Sequence, residues 1–435
     1  MNLYEELIYR GLIKDVSNED IAKDLLNNKK STFYCGFDPT ADSLHVGHLV
    51  QIIRALLMQK HGHKPIVLVG GATGLIGDPS GKKTERQLLT LDKSLENAES
   101  IKKQLEKYLD FDGDNGTILV NNYDWISKIN MIEFLRDYGK NFSINYMLAK
   151  ESVASRIDNG ISYTEFSYML IQAIDFLHLY KKYDCNIQFG GSEQWGNITA
   201  GLELIRKTCN DDLPVLGLSS PLLVKADGSK FGKTGTETLW IDINKTSAYA
   251  IYQYFLNTSD DEVISFLKML TLLDKEIIEK LEQEVLINPE KRAAQKELAK
   301  EIIIFLHGEK EYKKVEKITN CLFIGTVLAL SEEEIEIAFS DVPSSEIDQD
   351  LNIVDLLVES NVTKSKREAR ELITSNAITV NDKIINDLEY IVSVKEALYN
   401  KYTIIRRGKK KFYLIKHKKR WYLHHLFLLI EIIFF

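Results

Sequence analysis

The chain has few cysteines, and none are spaced to work together. Cys35, Cys185, Cys209 and Cys321 form no CxxC pair in 435 residues. That excludes a disulfide framework, disfavours a structural zinc site and fits a reducing, cytoplasmic setting. Spans of apolar residues long enough for a bilayer are missing as well. The apolar stretch 426–435 has ten residues, one of them Glu431, whereas a membrane helix needs about 20. The first residues, Met1-Asn2-Leu3-Tyr4-Glu5-Glu6, carry no basic segment and no apolar core, so they read as an amphipathic helix and not a targeting peptide. No membrane partner is expected. An overall positive charge is also lacking: the formal net charge is −8, which argues against bulk nucleic-acid binding by the whole chain. Two glycine-rich nucleotide fingerprints are absent. No GxGxxG occurs in the 70–77 run, and the Walker pattern around Gly81-Lys82 fails because Ile76 stands where its first glycine belongs.

What is present is ample apolar material, 44% of the chain, in a length that suggests two or three domains. The first half alternates strand and helix signals. Thr32-Phe33-Tyr34-Cys35-Gly36-Phe37 reads as a buried strand, broken by Asp38-Pro39-Thr40, with a helix from about Gly47 to Gln59. Further strands are expected at 66–69, 118–120 and 186–189, the last ending in Gly190-Gly191 with a helix after Ser192. Such alternation implies an α/β fold, a Rossmann-like doubly wound parallel sheet, with ligands at the carboxyl ends of the strands. Residues 34–40, 70–78 and 188–194 fall at those ends. Residues 245–320 lack glycine until Gly308 and read as an all-helical domain. The acidic stretch 331–350, with Pro343-Ser344-Ser345, reads as a linker. A compact α+β module follows over 351–416, then a basic and apolar tail, 417–435. Charge concentrates late: from Lys395 onward ten lysines and arginines, Lys401 to Arg420, face only Glu396 and Glu431. An acidic body with a basic end module suggests a local polyanion contact, a solvated basic surface being the plainer alternative.

Three features carry chemistry. Tyr168, Gln172 and Asp175 are four and three residues apart in an otherwise apolar helical run, so they share one face. A buried carboxylate and amide need partners. A ligand with an ammonium group and a hydroxyl would supply them; a polar network satisfied within the core is the alternative. His45-Val46-Gly47-His48 opens a helix after the first strand, where imidazoles and a helix N-terminus suit phosphate oxygens and Gly47 lets a flat base approach. A metal pair with His61 and His63 lacks a completing carboxylate or cysteine, so no metal site is expected. Lys230-Phe231-Gly232-Lys233-Thr234 follows Asp227-Gly228-Ser229 and reads as a glycine-flanked lysine loop able to clamp a leaving pyrophosphate. Lys82, Lys83 and Arg86 make a second cationic loop. The lysine motif is weak alone and the histidine motif moderate; as a pair nearly 200 residues apart they become specific.

That pair resembles the two signatures of class I aminoacyl-tRNA synthetases. The flanking segments Tyr34–Ala41, Gly77-Asp78-Pro79-Ser80-Gly81-Lys82, Tyr168–Asp175 and Gly190-Gly191-Ser192-Glu193-Gln194-Trp195-Gly196-Asn197 are similar to the bacterial-type tyrosyl branch of that family. The likeness runs to about residue 416. It implies a catalytic domain over 1–225, a lysine loop and anticodon-side helical domain over 226–330, and a small RNA-binding module over 351–416. The inserted segment near 125–154 is apolar and aromatic and falls between the two halves of the nucleotide fold, so it reads as the dimerisation segment, an insertion packed on its own domain being the alternative. The likeness implies tyrosine, ATP with magnesium and the tyrosine tRNA as partners, a homodimer, no tightly bound cofactor and no editing domain. On matching positions, Tyr34 and Asp175 would hold the phenol hydroxyl, and Tyr168, Asp78 and Gln172 the ammonium, with Gln194 near the carboxylate. Cys35, Gly36, Asp38, Gly47, Gly191 and Glu193 would surround the amino acid and nucleotide. Thr40, His45 and His48 would contact ATP, and Lys82, Arg86, Lys230, Lys233 and Thr234 would stabilise pyrophosphate. Glu193 stands where the family usually has aspartate. Phe231, Gly232 and Thr234 vary the lysine loop but leave both lysines. A tryptophanyl enzyme and a non-catalytic RNA-binding paralogue are the alternatives, the second of which would be expected to lose the histidines or lysines.

Overall fold

Five short runs form a parallel sheet: β1 (Thr32–Phe37), β2 (Lys64–Val69), β3 (Ile118–Asn121), β4 (Cys185–Gly191) and β5 (Leu216–Ser220); the first four contain β-branched or aromatic residues, and β5 has none. The order is β3-β2-β1-β4-β5. β1 pairs with β2 on one side and β4 on the other, with Tyr34 opposite both Ile66 and Gln188. The strand order therefore reverses direction between β1 and β4, and the crevice outside their carboxyl ends is where a doubly wound sheet holds its ligand. β5 is the one strand of this sheet with no counterpart in the sequence reading. The computed structural model describes residues 1–80, 88–158, 160–209, 214–223, 231–234, 237–323, 326–340, 342–408 and 411–418, with backbone alone at 233, 234 and 237. Lys82, Arg86, Lys230, the side chains of Lys233 and Thr234, and the tail from 419 lie outside the described residues.

The chain divides into two compact units, Met1–Thr246 with Ala250–Leu306, and Ser247–Tyr249 with His307–Phe435. The helices Asp260–Leu270, Lys275–Ile287 and Ala293–His307 thus fall largely in the same compact unit as the sheet, where a separate helical domain over 226–330 was expected. Side chains explain this. Phe231 packs on Tyr254, Phe255 and Phe266, Tyr108 stacks on Phe305 at 5.2 Å, and buried Arg10 donates to the carbonyls of Lys268, Thr271 and Leu273. The long helix Tyr163–Tyr183 is capped by Ser162 and lies in a core with Tyr34, Phe176, Leu204 and Val153.

In the second unit a five-stranded sheet runs Lys383–Ile384, Ile378–Val380, Tyr402–Arg407, Lys411–His417 and Ser344–Ile347. Helices Ile353–Glu359 and Lys366–Thr374 share its core through Leu356, Leu357, Ala369 and Ile373. The stretch read as an acidic linker is structured. Ser331 and Glu334 form a capping box on the helix Glu332–Ala338, and Ser344–Ile347 adds a parallel edge to Lys411–His417. Its acidity is matched by partners far away in sequence: Lys314 to Glu333 at 2.5 Å, Lys317 to Glu334 at 2.6 Å and Lys401 to Glu332 at 2.9 Å. Among the described residues no helix is long and apolar enough to cross a membrane.

Candidate active site at the carboxyl ends of the central strands

β1 and β4 end in a cavity of about 260 Å³. It is lined by Tyr34, Gly36, Asp38, Thr40, His45, His48, Asp78, Tyr168, Gln172, Asp175, Glu193 and Gln194, and also by Gln51, Leu68, Thr73, Gln188 and Phe189. Twelve of the positions singled out in the sequence thus meet in one place. Cys35 does not line it; its thiol is 2% exposed beside Arg54, and burial pushes it up to about 11. Gly47 and Gly191 are outside the lining too. A Cβ on Gly47 would sit 2.8 Å from the His45 ring, so the glycine makes room for that imidazole.

One end of the cavity is set in the apolar core around Tyr34, Leu68 and Ile174. Asp175 is 1% exposed, and burial pushes its carboxyl up to about 7, against the opposing hydrogen bonds of Asn122 and Trp125. Asn122 Nδ2 donates to its Oδ2 at 3.0 Å and Trp125 Nε1 to its Oδ1 at 2.8 Å. Tyr34 faces the same space. Its hydroxyl is buried with no hydrogen-bond partner among the described residues, and burial, then the Asp175 charge, hold it well above the usual phenol range. It is a protonated donor awaiting an acceptor.

Beyond that end lies a polar middle. Tyr168 donates to Asp38 Oδ2 at 2.7 Å, and Thr73 donates to Asp38 Oδ1 at 2.7 Å. Asn122 Nδ2 also reaches Thr73 Oγ1 at 3.1 Å, so Asp38 and Asp175 are joined through two neutral side chains. Asp78 accepts from the Ser80 backbone at 2.9 Å and from Gln194 Nε2 at 2.5 Å. Asn197 Nδ2 donates to Gln172 Oε1 at 3.0 Å and to Gln194 Oε1 at 3.1 Å. Two carboxylates, Asp38 and Asp78, and no basic side chain of the described residues line this region, which suits a cation such as an ammonium group.

The open end is formed by the histidine motif. His45 and His48 stack with centroids 3.9 Å apart, His48 Nδ1 accepting from the His45 backbone. Burial, then the neighbouring His45, hold His48 well below its usual range, so it is neutral and has one ring N–H to donate. The lysine loop lies against this motif. Val46 N donates to Leu239 O at 3.0 Å, and Leu239 N to Gly232 O at 2.9 Å. Gly232 has φ +77°, and a Cβ there would come within 2.8 Å of Val46. The two motifs read as a pair in sequence are packed together in space.

Sequence reasoning missed Thr73, Asn122, Trp125, Gln51, Gln188 and Asn197. The position of Asn121-Asn122 at the carboxyl end of β3 was a usable signal. Trp125 was counted with the expected interface segment, where it does open a run of short helices, Tyr123–Ile126, Met131–Glu133, Ile144–Leu148 and Glu151–Ala154.

Comparison with known proteins agrees with this geometry. The family described as tRNA synthetases class I (W and Y) matches residues 26–324, and the tyrosine–tRNA ligase SYY-like C-terminal domain matches residues 334–415. Tyrosine–tRNA ligase 1 of Bacillus subtilis is 50% identical over 420 residues, 96% of this chain and 100% of that one. The tyrosine–tRNA ligase of Geobacillus stearothermophilus is 52% identical over 419 residues, again 96% and 100%. A C-terminally truncated mitochondrial tyrosyl-tRNA synthetase of Aspergillus nidulans superposes with a TM-score of 0.66 at 32% identity, covering 74% of this chain and 94% of that one. This chain belongs to the tyrosyl branch of the class I tRNA synthetases.

Proposed function

We propose that this protein activates tyrosine with ATP to tyrosyl-adenylate and pyrophosphate, then transfers tyrosine to the 3′-terminal adenosine of its tRNA. The observation that carries the choice of tyrosine is the unpartnered Tyr34 hydroxyl sharing a buried cavity end with the Asp175 carboxylate. A phenol hydroxyl would accept from Tyr34 and donate to Asp175. Tyr168, Gln172 and Asp78 would take the ammonium, and Gln194 would lie near the carboxylate. Leaving buried polar groups unpaired rejects phenylalanine strongly without an editing site, a rule for which tyrosyl enzymes are the stock illustration.

The first step needs no general base. The amino-acid carboxylate is already a nucleophile; it attacks the α-phosphorus, the bond to the bridging oxygen breaks, and pyrophosphate leaves with that electron pair. The protein's contribution is positioning and charge stabilisation. Thr40, His45 and His48 would meet ATP at the open end, with His48 nearer the sugar. Lys82, Arg86, Lys230, Lys233 and Thr234 would gather round the pyrophosphate, and magnesium would arrive as part of the ATP complex. In the second step a terminal tRNA hydroxyl attacks the mixed anhydride and AMP leaves.

A homodimer is supported by an exposed apolar surface on the segment read as the interface. Met131, Ile132 and Ile144 are more than half exposed, as is Tyr163 at the start of the long helix, and a groove of about 470 Å³ runs between Ile129, Phe134, Leu135 and Ile171. The 351–416 module would hold tRNA; Lys364, Lys366, Arg367 and Arg370 are exposed together around one helix. Changing Lys366, Arg367 and Arg370 to glutamine should weaken tRNA charging while sparing adenylate formation; equal loss of both would remove the RNA role. Four free cysteines are compatible with work in the cytoplasm.

ATP–pyrophosphate exchange with tyrosine, phenylalanine and tryptophan, without tRNA, tests the proposal. Exchange with tyrosine alone is expected. Exchange with tryptophan would move the assignment to the sister enzyme, and none at all in folded protein would favour a non-catalytic paralogue.

A further inference from the structure

The floor under the open end of the cavity holds a charge that the activity described above does not use. Arg54 lies on the helix Leu49–Lys60 that the histidine motif opens, and it is 1% exposed. Its guanidinium carbon is 4.0 Å above the centre of the Phe189 ring, and Nη1 donates to the Gly190 carbonyl at 3.4 Å. Nη2 is buried and has no hydrogen-bond partner among the described residues. An arginine so enclosed is costly to the fold unless another charge balances it.

The balancing charge is at the cavity wall. Glu193 folds back over the end of β4, where a Cβ on Gly191 would lie 2.3 and 2.5 Å from its two carboxylate oxygens. Its Oε2 is also buried without a hydrogen-bond partner among the described residues. Arg54 and Glu193 thus each carry, among the described residues, an unpaired polar atom next to the Gly190–Gly191 backbone. Each charge also favours the other: Glu193 opposes the burial that lowers Arg54 to about 10, and Arg54 opposes the burial that raises Glu193. The other charged groups acting on Glu193 are Asp78, which raises it, and Lys14, which lowers it.

We propose that Arg54 is a positioning residue for nucleotide binding: it holds the Gly190 carbonyl and sustains the Glu193 carboxylate as an acceptor for the ribose hydroxyls of ATP. This rests on the tyrosine-activating reading and adds a residue that reading does not contain. It also answers how a glutamate serves where the family usually has aspartate. The longer side chain is turned back over glycine, and the buried arginine beneath supplies the positive charge that keeps it ionised in a dry setting.

The test is tyrosine-dependent ATP–pyrophosphate exchange from pH 6 to 9 on wild-type protein, Arg54→Met, Arg54→Lys, Glu193→Gln and the Met/Gln double variant. Wild-type exchange is the control for the function itself: its absence would sink that reading and this proposal with it, whereas wild-type exchange with the variant results below failing would sink this proposal alone. Arg54→Met should raise KM for ATP roughly tenfold to a hundredfold, the scale of one lost charged interaction, and leave KM for tyrosine within about twofold. Because losing Arg54 raises Glu193 further, KM for ATP in that variant should climb as pH falls, while the wild type stays flatter. The double variant should lose that pH dependence and be no worse than Glu193→Gln alone. If Arg54→Met does not fold, Arg54→Lys, which keeps the charge, should show the same ATP-specific change in smaller measure. Equal rises in both KM values, an unchanged KM for ATP, or a pH dependence that survives Glu193→Gln would each overturn the proposal.

Discussion

The two ends of the cavity are built differently. The amino-acid end is made of buried side chains held by other side chains: Asp175 by Asn122 and Trp125, Gln172 and Gln194 by Asn197, Asp38 by Thr73 and Tyr168. The nucleotide end is made of a backbone turn, two stacked imidazoles and a loop packed onto them at Gly232. The first has little freedom to adjust, as selection between a phenol and a phenyl ring requires. The second is lined by imidazoles and backbone, and under the proposed function Lys82, Arg86, Lys230 and Lys233 would bring the positive charge that a leaving pyrophosphate requires. Discrimination and rate are therefore expected to separate under mutation.

Asp175→Ala should have the largest effect. It removes the acceptor for the phenol and strands the Asn122 and Trp125 donors, so kcat/KM for tyrosine should fall roughly a thousandfold. Steady-state exchange kinetics would show it, and a loss confined to KM for ATP would break the comparison. At the other end, Lys233→Ala should lower kcat roughly a hundredfold while tyrosine binding, read by equilibrium dialysis, holds. Trp125→Phe probes the support of Asp175 without touching substrate. KM for tyrosine should rise about tenfold, with KM for ATP unchanged. A smaller effect is expected from pH. Asp175 titrates at about 7 in the unliganded protein, so below that pH the free site must lose a proton before it accepts the phenol. Tyrosine affinity should weaken as pH falls through 7, approaching tenfold per unit well below it, while phenylalanine affinity stays level.

Much of this was legible in the sequence because it is local or periodic. The trio Tyr168, Gln172 and Asp175 follows from helical spacing, and strand alternation put Tyr34, Asp38 and Glu193 at the carboxyl ends of β1 and β4. The pairing of histidine and lysine motifs came from a resemblance, and hydrogen bonds through Leu239 give it a physical form. What was not legible depends on distant contacts. The end of β3 points to Asn122 as a site position but not to its partner, nothing near Trp125 announces that it meets Asp175 fifty residues on, and Arg54 sits in an apolar helical run where an arginine would be expected to reach solvent. The 331–350 stretch misled because composition records acidity but not the lysines at 314, 317 and 401 that neutralise it.

The central claim is that the buried end reads the substrate hydroxyl, and it is tested most directly by the ratio of kcat/KM for tyrosine to that for phenylalanine in wild-type and Tyr34→Phe protein. Removing one neutral hydrogen bond should lower that ratio roughly threefold to fifteenfold, through the tyrosine value alone. An unchanged ratio, or an equal loss for both amino acids, would contradict the account.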